Sequence, residues 1–171
     1  MICLIGCSGS GKSTLEVLLT KYGYRKVVST TTRPIRDGEV DGIDYHFITE
    51  EMFDKLDKQN FFAEKTVYSS WHYGVGKIEC TNDGVAVVNP HGFRQLQKMD
   101  NLDITSFYID STENKRLERL ARRGDNIMEI FRRVISDQGV FQNIKEEVDF
   151  SIDNNTDDIN IALETILNIL K

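Results

Sequence analysis

Gly6-Cys7-Ser8-Gly9-Ser10-Gly11-Lys12-Ser13 fits the pattern G-x-x-x-x-G-K-[ST], and no other stretch of the chain restricts its fold so narrowly. Ile2-Cys3-Leu4-Ile5 before it reads as a buried parallel strand, and Ser13 to Leu19 after it carries Leu15, Leu18 and Leu19 as a helical stripe. Strand, glycine loop and helix in that order let the backbone wrap a phosphate with its N–H groups, while the helix N-terminus adds a positive dipole. Lys12 then supplies a cation for the β and γ phosphates, and Ser13 a hydroxyl for Mg2+. Gly6, Ser8, Gly9, Ser10, Gly11, Lys12, Ser13 and Thr14 are the expected phosphate-binding residues. A turn without a ligand would explain the glycines but not the Lys-Ser pair in frame.

At 171 residues the chain is long enough for one domain around one core. Its net charge of -6 argues against a nucleic-acid surface and leaves room for a local basic pocket. Cys3, Cys7 and Cys80 are odd in number and lack metal-type spacing, which predicts free thiols in a reducing, cytoplasmic setting. Cys7, between a helix N-terminus and Lys12, is expected to have a lowered pKa. Met1-Ile2-Cys3 enters a strand without a basic leader, and no apolar run has the length of a membrane span, so neither export nor a membrane partner is expected.

Further along, Tyr24 to Ser29 reads as a strand, Ser29 to Gly42 as a polar functional loop, and Ile43 to Ile48 as a strand. Glu50 to Gln59 predicts a helix with Met52, Phe53 and Leu56 inward, followed by strands at Phe61 to Val67 and Trp71 to Val75. Gly84 to Asn89 and Ile104 to Ile109 predict central strands, with a helix from Pro90 to Met99 between them. A helix capped by Ser111 or Thr112 runs to about Arg122, and a charged helical segment continues to about Glu147. Val148 to Ile152 predicts the last strand, and Asp157 to Leu170 a helix with Ile159, Ile161, Leu163, Ile166, Leu167 and Leu170 inward. Alternating strands and helices imply an α/β fold, a parallel sheet flanked by helices on both faces, with the ligand at the strand C-termini.

Thr30-Thr31-Thr32-Arg33-Pro34-Ile35-Arg36-Asp37-Gly38-Glu39 and Asp44-Tyr45-His46-Phe47 together resemble the hallmark of guanylate kinases. The resemblance extends from the first strand to Asp153-Asn154-Asn155. It implies the P-loop NTPase fold: a core (1–29, 80–122 and 148–171), a small β-rich insertion (30–79) for the acceptor nucleotide and a helical lid (123–147). It also implies ATP as phosphoryl donor, Mg2+, and GMP or dGMP as acceptor. The acceptor phosphate falls to Ser29, Arg33, Arg36, Tyr45, Tyr73 and the adjoining Gly74, and the guanine edge to Glu64, whose carboxylate suits two adjacent N–H donors. Glu39 steadies the arginine loop or metal-bound waters, and Asn154 matches a position near adenine. In the lid, Arg119-Leu120-Ala121-Arg122-Arg123-Gly124 and Arg132-Arg133 carry over Arg119, Arg123 and Arg133 as groups that, with Lys12 and Arg36, neutralise the transferred phosphoryl.

The match departs from the family where the acceptor base is read. Val75 follows Tyr73-Gly74 in place of a hydroxyl residue, and Val87-Val88-Asn89 replaces a strand end with two carboxylates. These positions look like those of ribose 1,5-bisphosphate phosphokinase, although the Arg33 loop and Glu64 favour a nucleotide. Phosphorylation of GMP or dGMP is therefore the leading reading; a kinase for another acceptor and a non-catalytic guanylate kinase-like binding module are the alternatives. His46, His72 and His91 are scattered and read as surface or packing residues. Trp71 and Phe141 are read as interface residues of a homodimer or as packed within the insertion and lid.

Overall fold

The structure, a computed structural model, describes residues 1–68 and 70–171. Its centre is β1 (Ile2–Ile5), flanked by β7 (Gly84–Val87) on one side and β8 (Thr105–Asp110) on the other. With β2 (Arg25–Lys26) and β9 (Phe150–Asp153) they form a parallel sheet of order β2-β7-β1-β8-β9. In register, Ile2 lies between Val85 and Thr105, and Leu4 between Val87 and Phe107.

The unbroken apolar run in β1 follows from cover on both faces. Ile2 and Leu4 pack with Leu15 and Leu19 of α1 (Lys12–Thr20) and Leu163 and Ile166 of α6 (Ile159–Ile169). Cys3 and Ile5 point the other way, onto Phe93 and Leu96 of α3 (Pro90–Leu96) and onto Ile144. Alternate residues of one strand thus seed two cores, and the sheet's C-terminal edge is left to carry the loops.

A second sheet of order β4-β3-β6-β5 stands over that edge, built from β3 (Thr30–Thr31), β4 (His46–Phe47), β5 (Phe62–Tyr68) and β6 (Trp71–Gly76). The strand predicted over 24–29 shrinks to Arg25–Lys26, because the chain then leaves the central sheet and pairs Thr30–Thr31 in the other one. The strand predicted over 43–48 is only His46–Phe47, preceded by turns through Gly42. α2 (Glu50–Lys58) forms as predicted, but Met52 is 43% exposed, since only the Phe53 side is covered, where the ring stacks on Phe62 at 4.3 Å. Ile161 is likewise exposed on α6, whose covered stripe is Ala162, Leu163 and Ile166.

α4 (Glu113–Arg122) ends the expected core segment, and α5 (Ile127–Asp137) forms within the segment expected as a lid. The predicted helical run to 147 stops at Asp137: Gly139 takes a left-handed turn, and the chain returns to bury Ile144 in the core. Thr112 stands at the N-cap of α4 without a side-chain bond, and Ser111 Oγ donates instead to the Asn154 carbonyl at 2.7 Å. Trp71 lies 4.3 Å beneath the Arg132 guanidinium, and Phe141 packs against the core.

Leu4→Ala should lower unfolding free energy by about 2–5 kcal/mol, the cost of a cavity in a closed core, whereas Met52→Ala should stay within about 0.5 kcal/mol. Urea denaturation of both variants measures the contrast.

Candidate active site

β1 delivers the chain into Gly6 to Gly11, a loop whose shape only glycine allows at two points. Gly9 and Gly11 hold φ of +78° and +101°, and a Cβ would lie 2.6 Å from the Arg116 carbonyl and 2.6 Å from Asn154 Nδ2 respectively. No side chain caps the start of α1, so its first N–H groups remain available to an anion. Beneath the loop, Asn154 Nδ2 donates to the Ser10 carbonyl at 2.7 Å, and Arg119 donates to the carbonyls of Asn154 at 2.9 Å and Thr156 at 2.7 Å. Arg119 also borders the cavity, but its guanidinium serves here as a strut for the loop; Asn154 is 1% exposed and does the same.

Lys12 folds back on the loop, donating to the carbonyls of Gly6 at 2.6 Å and Cys7 at 2.8 Å. Burial lowers its pKa to about 8, opposed by the nearby Asp137 carboxylate. Asp137, at the end of α5, closes the loop from the lid side: Oδ2 accepts the Ser8 N–H at 2.7 Å and Oδ1 accepts the Tyr68 hydroxyl at 2.9 Å. A carboxylate thus sits on one of the loop's backbone donors. The expected lowering of the Cys7 pKa is overturned: burial pushes the thiol up, outweighing Arg116 and Lys12.

At the cavity's other end, Arg33 is 3% exposed and fixed as a fork against Glu39, NH2 to Oε1 at 2.7 Å and NH1 to Oε2 at 3.0 Å. Its guanidinium stacks over Tyr45 and Phe47, with 5.4 and 5.5 Å to the ring centroids. Glu39 also accepts the Arg36 N–H at 2.8 Å, so one carboxylate sets both arginines of the loop. Burial works against that charge, yet the bonds from Arg33 and Arg36 hold the Glu39 carboxyl below its usual range. Tyr45 and Tyr73 pack edge to face at 6.0 Å, with Ser29 on the same wall.

Glu64 projects from β5 and is 4% exposed. Burial pushes its carboxyl up to about 7, against a backbone hydrogen bond from Val75. A Cβ on Gly92 would collide with Glu64 Oε2, so glycine there makes room for the acid. Gly74 stands apart from the cavity wall, closely packed on the Phe62 ring.

The lid arginines are gathered by acids. Arg123 Nε donates to Asp125 at 2.6 Å, while Glu129 receives Arg36 at 2.5 Å, Arg132 at 2.6 Å and Arg133 at 3.0 Å. Burial opposes charge at Glu129, but its bonds with Arg132 and Arg133 keep the carboxyl below the usual value. The acids cancel the mutual repulsion of the arginines and can be exchanged for phosphate oxygens.

One cavity of about 380 Å³ joins these parts, a volume suited to small-molecule sites. Of the residues expected from sequence, Gly6, Ser8, Gly9, Gly11, Lys12, Ser13 and Thr14 border its loop end; Ser29, Arg33, Arg36, Tyr45, Glu64 and Tyr73 border the other; Arg119, Arg123 and Arg133 border the lid side. Ser10, Glu39, Gly74 and Asn154 lie behind the wall rather than in it. Sequence reading missed Thr66, Tyr68 and Asp137, which carry no motif and reach the site only through tertiary folding. Among the described residues no group of three or more His, Cys, Asp or Glu could hold a metal. The exposed Ser13 beside Lys12 fits a cation held mainly by phosphate oxygens and water, the habit of Mg2+.

Comparison with known proteins follows the same outline. The guanylate kinase family model matches residues 1–171. A guanylate kinase of Helicobacter pylori is 35% identical over the whole chain and 86% of its own length, and one of Rhodopseudomonas palustris is 30% identical over the whole chain and 81% of its own. The crystal structure of a guanylate kinase from Anaplasma phagocytophilum shares the fold, with a TM-score of 0.70 and 23% identity over 99% of this chain and 83% of that one. With its loop, sheet order and full-length match, the chain belongs to the guanylate kinase family.

Proposed function

We propose that this phosphotransferase moves the γ-phosphoryl group of ATP to GMP or dGMP, releasing ADP and GDP or dGDP. The observation that carries the reading is one cavity with an uncapped phosphate loop at one end and, at the other, a fixed arginine pair below a buried carboxylate. ATP phosphates lie on the loop residues Gly6 to Thr14 in this reading, and the acceptor phosphate on Ser29, Arg33, Arg36, Tyr45 and Tyr73. Glu64 accepts from the adjacent N1–H and N2–H donors of guanine.

No general base is needed, because the attacking oxygen of the acceptor phosphate is already anionic. The chain's task is to align two anions and neutralise the charge that spreads over the transferred group. Lys12 leaves its loop carbonyls for the phosphates, and Arg36, Arg123 and Arg133 exchange Glu129 and Asp125 for phosphoryl oxygens. Closure of the lid arginines also excludes water, which would otherwise take the phosphoryl group. Mg2+, held with the help of Ser13, supplies further charge neutralisation when bound. All of these groups come from one chain, so the reading needs no second subunit. No described helix is long and apolar enough to cross a membrane, and the free thiols Cys3, Cys7 and Cys80 support a cytoplasmic setting within this proposal.

Lys12→Ala should reduce ATP-dependent turnover of GMP by about a thousandfold or more, in the range seen when a group stabilising transition-state charge is lost, with the circular dichroism spectrum unchanged. Near-normal turnover would remove the loop from the mechanism. A second outcome concerns pH. GMP needs Glu64 ionised, and its pKa of about 7 means that most free sites are protonated at pH 6. The KM for GMP should therefore rise about tenfold per pH unit below pH 7 and level off above it. Glu64→Gln should raise KM and retain only the dependence due to the nucleotide's own phosphate.

A further inference from the structure

We propose that Thr66 is a specificity-determining residue, donating its hydroxyl proton to the guanine O6. The inference rests on GMP being the acceptor and names a group that takes the role left open by Val75. Val75 is fully buried, and its backbone serves Glu64, so position 75 presents no polar side chain to a base.

Thr66 follows Glu64 by two residues on β5, so both side chains face the cavity, which they line together. Along a strand they stand roughly 6–7 Å apart, a separation that lets the carboxylate take N1–H and N2–H while the hydroxyl meets O6 at the next position of the same edge. Val87 and Val88 also border the cavity and offer apolar surface to a purine.

Asn89 settles which way the hydroxyl acts. Its Oδ1 accepts the Gly92 N–H at 2.9 Å, capping α3, and this fixes Nδ2 as the atom 3.1 Å from Thr66 Oγ1. Nδ2 can only donate, so Thr66 Oγ1 is the acceptor of that bond and its own proton is turned elsewhere. Among the described residues no acceptor takes that proton, and the cavity lies before it. Guanine offers O6 as an acceptor there, whereas adenine offers an amino donor. The Asn89–Thr66 pair therefore favours guanine by a matched bond and disfavours adenine by opposing two donors.

The test compares GMP with 6-thioguanosine 5′-monophosphate, which lacks O6 and carries a weakly accepting sulfur there while keeping N1–H and N2–H for Glu64, in wild type, Thr66→Val and Thr66→Ser. Thr66→Val keeps the shape and removes the hydroxyl. It should lower kcat/KM for GMP tenfold or more, through KM rather than kcat, and leave kcat/KM for the O6-free nucleotide within twofold. Thr66→Ser should retain GMP within about threefold. Equal losses on both nucleotides would reveal a packing role, and no loss on GMP would show that O6 is read elsewhere; either result overturns the proposal. Failure of the wild-type protein to use GMP at all would instead defeat the acceptor reading on which this one rests.

Discussion

A set of backbone N–H groups without a side-chain cap at the start of α1 is what the rest of the site is arranged around. It exists because left-handed glycines at Gly9 and Gly11 bring the loop against Arg116 and Asn154 more closely than any side chain would permit. Such a site is electropositive before any ligand arrives, and Lys12, Arg36, Arg119, Arg123 and Arg133 add full charges around it. The fold answers with acids at four points. Asp137 lies on the Ser8 N–H, Glu129 collects three arginines, Asp125 holds Arg123 and Glu39 clamps Arg33. In the proposed reaction, phosphate groups entering the cavity would take the place of these carboxylates, which otherwise keep the arginines partnered.

The two sheets divide the labour. The parallel sheet, buried on both faces, fixes the loop through β1 and braces it from below through Asn154 at the end of β9. The mixed sheet brings Glu64, Thr66 and Tyr73 to the opposite wall, joined to the core by Asn89, which caps α3 and reaches Thr66 across the boundary. The wall that carries Glu64 and Thr66 is thereby tied to the end of β7 and the start of α3.

What the sequence disclosed depended on how local each feature is. The loop and most of the helical stripes are written in neighbouring residues, and the Arg33–Arg36 segment is marked by its resemblance to guanylate kinases. The positions of Tyr68 and Asp137 depend on distant segments meeting at Ser8, and no spacing within either segment signals that meeting. Cys7 shows the same limit in electrostatics: proximity to Lys12 suggested a lowered pKa, whereas three-dimensional burial dominates and raises it. Arg119 and Asn154 carry family register, and in the fold Asn154 donates to the Ser10 carbonyl while Arg119 donates to the carbonyls of Ser10, Asn154 and Thr156. Met52 and Ile161 show that an apolar residue at helical spacing is buried only where another element covers that face.

The departures at Val75, Val87 and Asn89 bear on the base and leave the phosphate-binding parts intact. In the proposed reading, chemistry and selectivity occupy separable walls of one cavity. The most direct measurement is Mg2+-dependent ADP release from ATP with GMP, dGMP, AMP, dTMP, ribose 1,5-bisphosphate or no acceptor. The account predicts that GMP or dGMP gives the highest kcat/KM, with AMP and dTMP far below. Preference for the sugar phosphate, or silence with every acceptor, would contradict it.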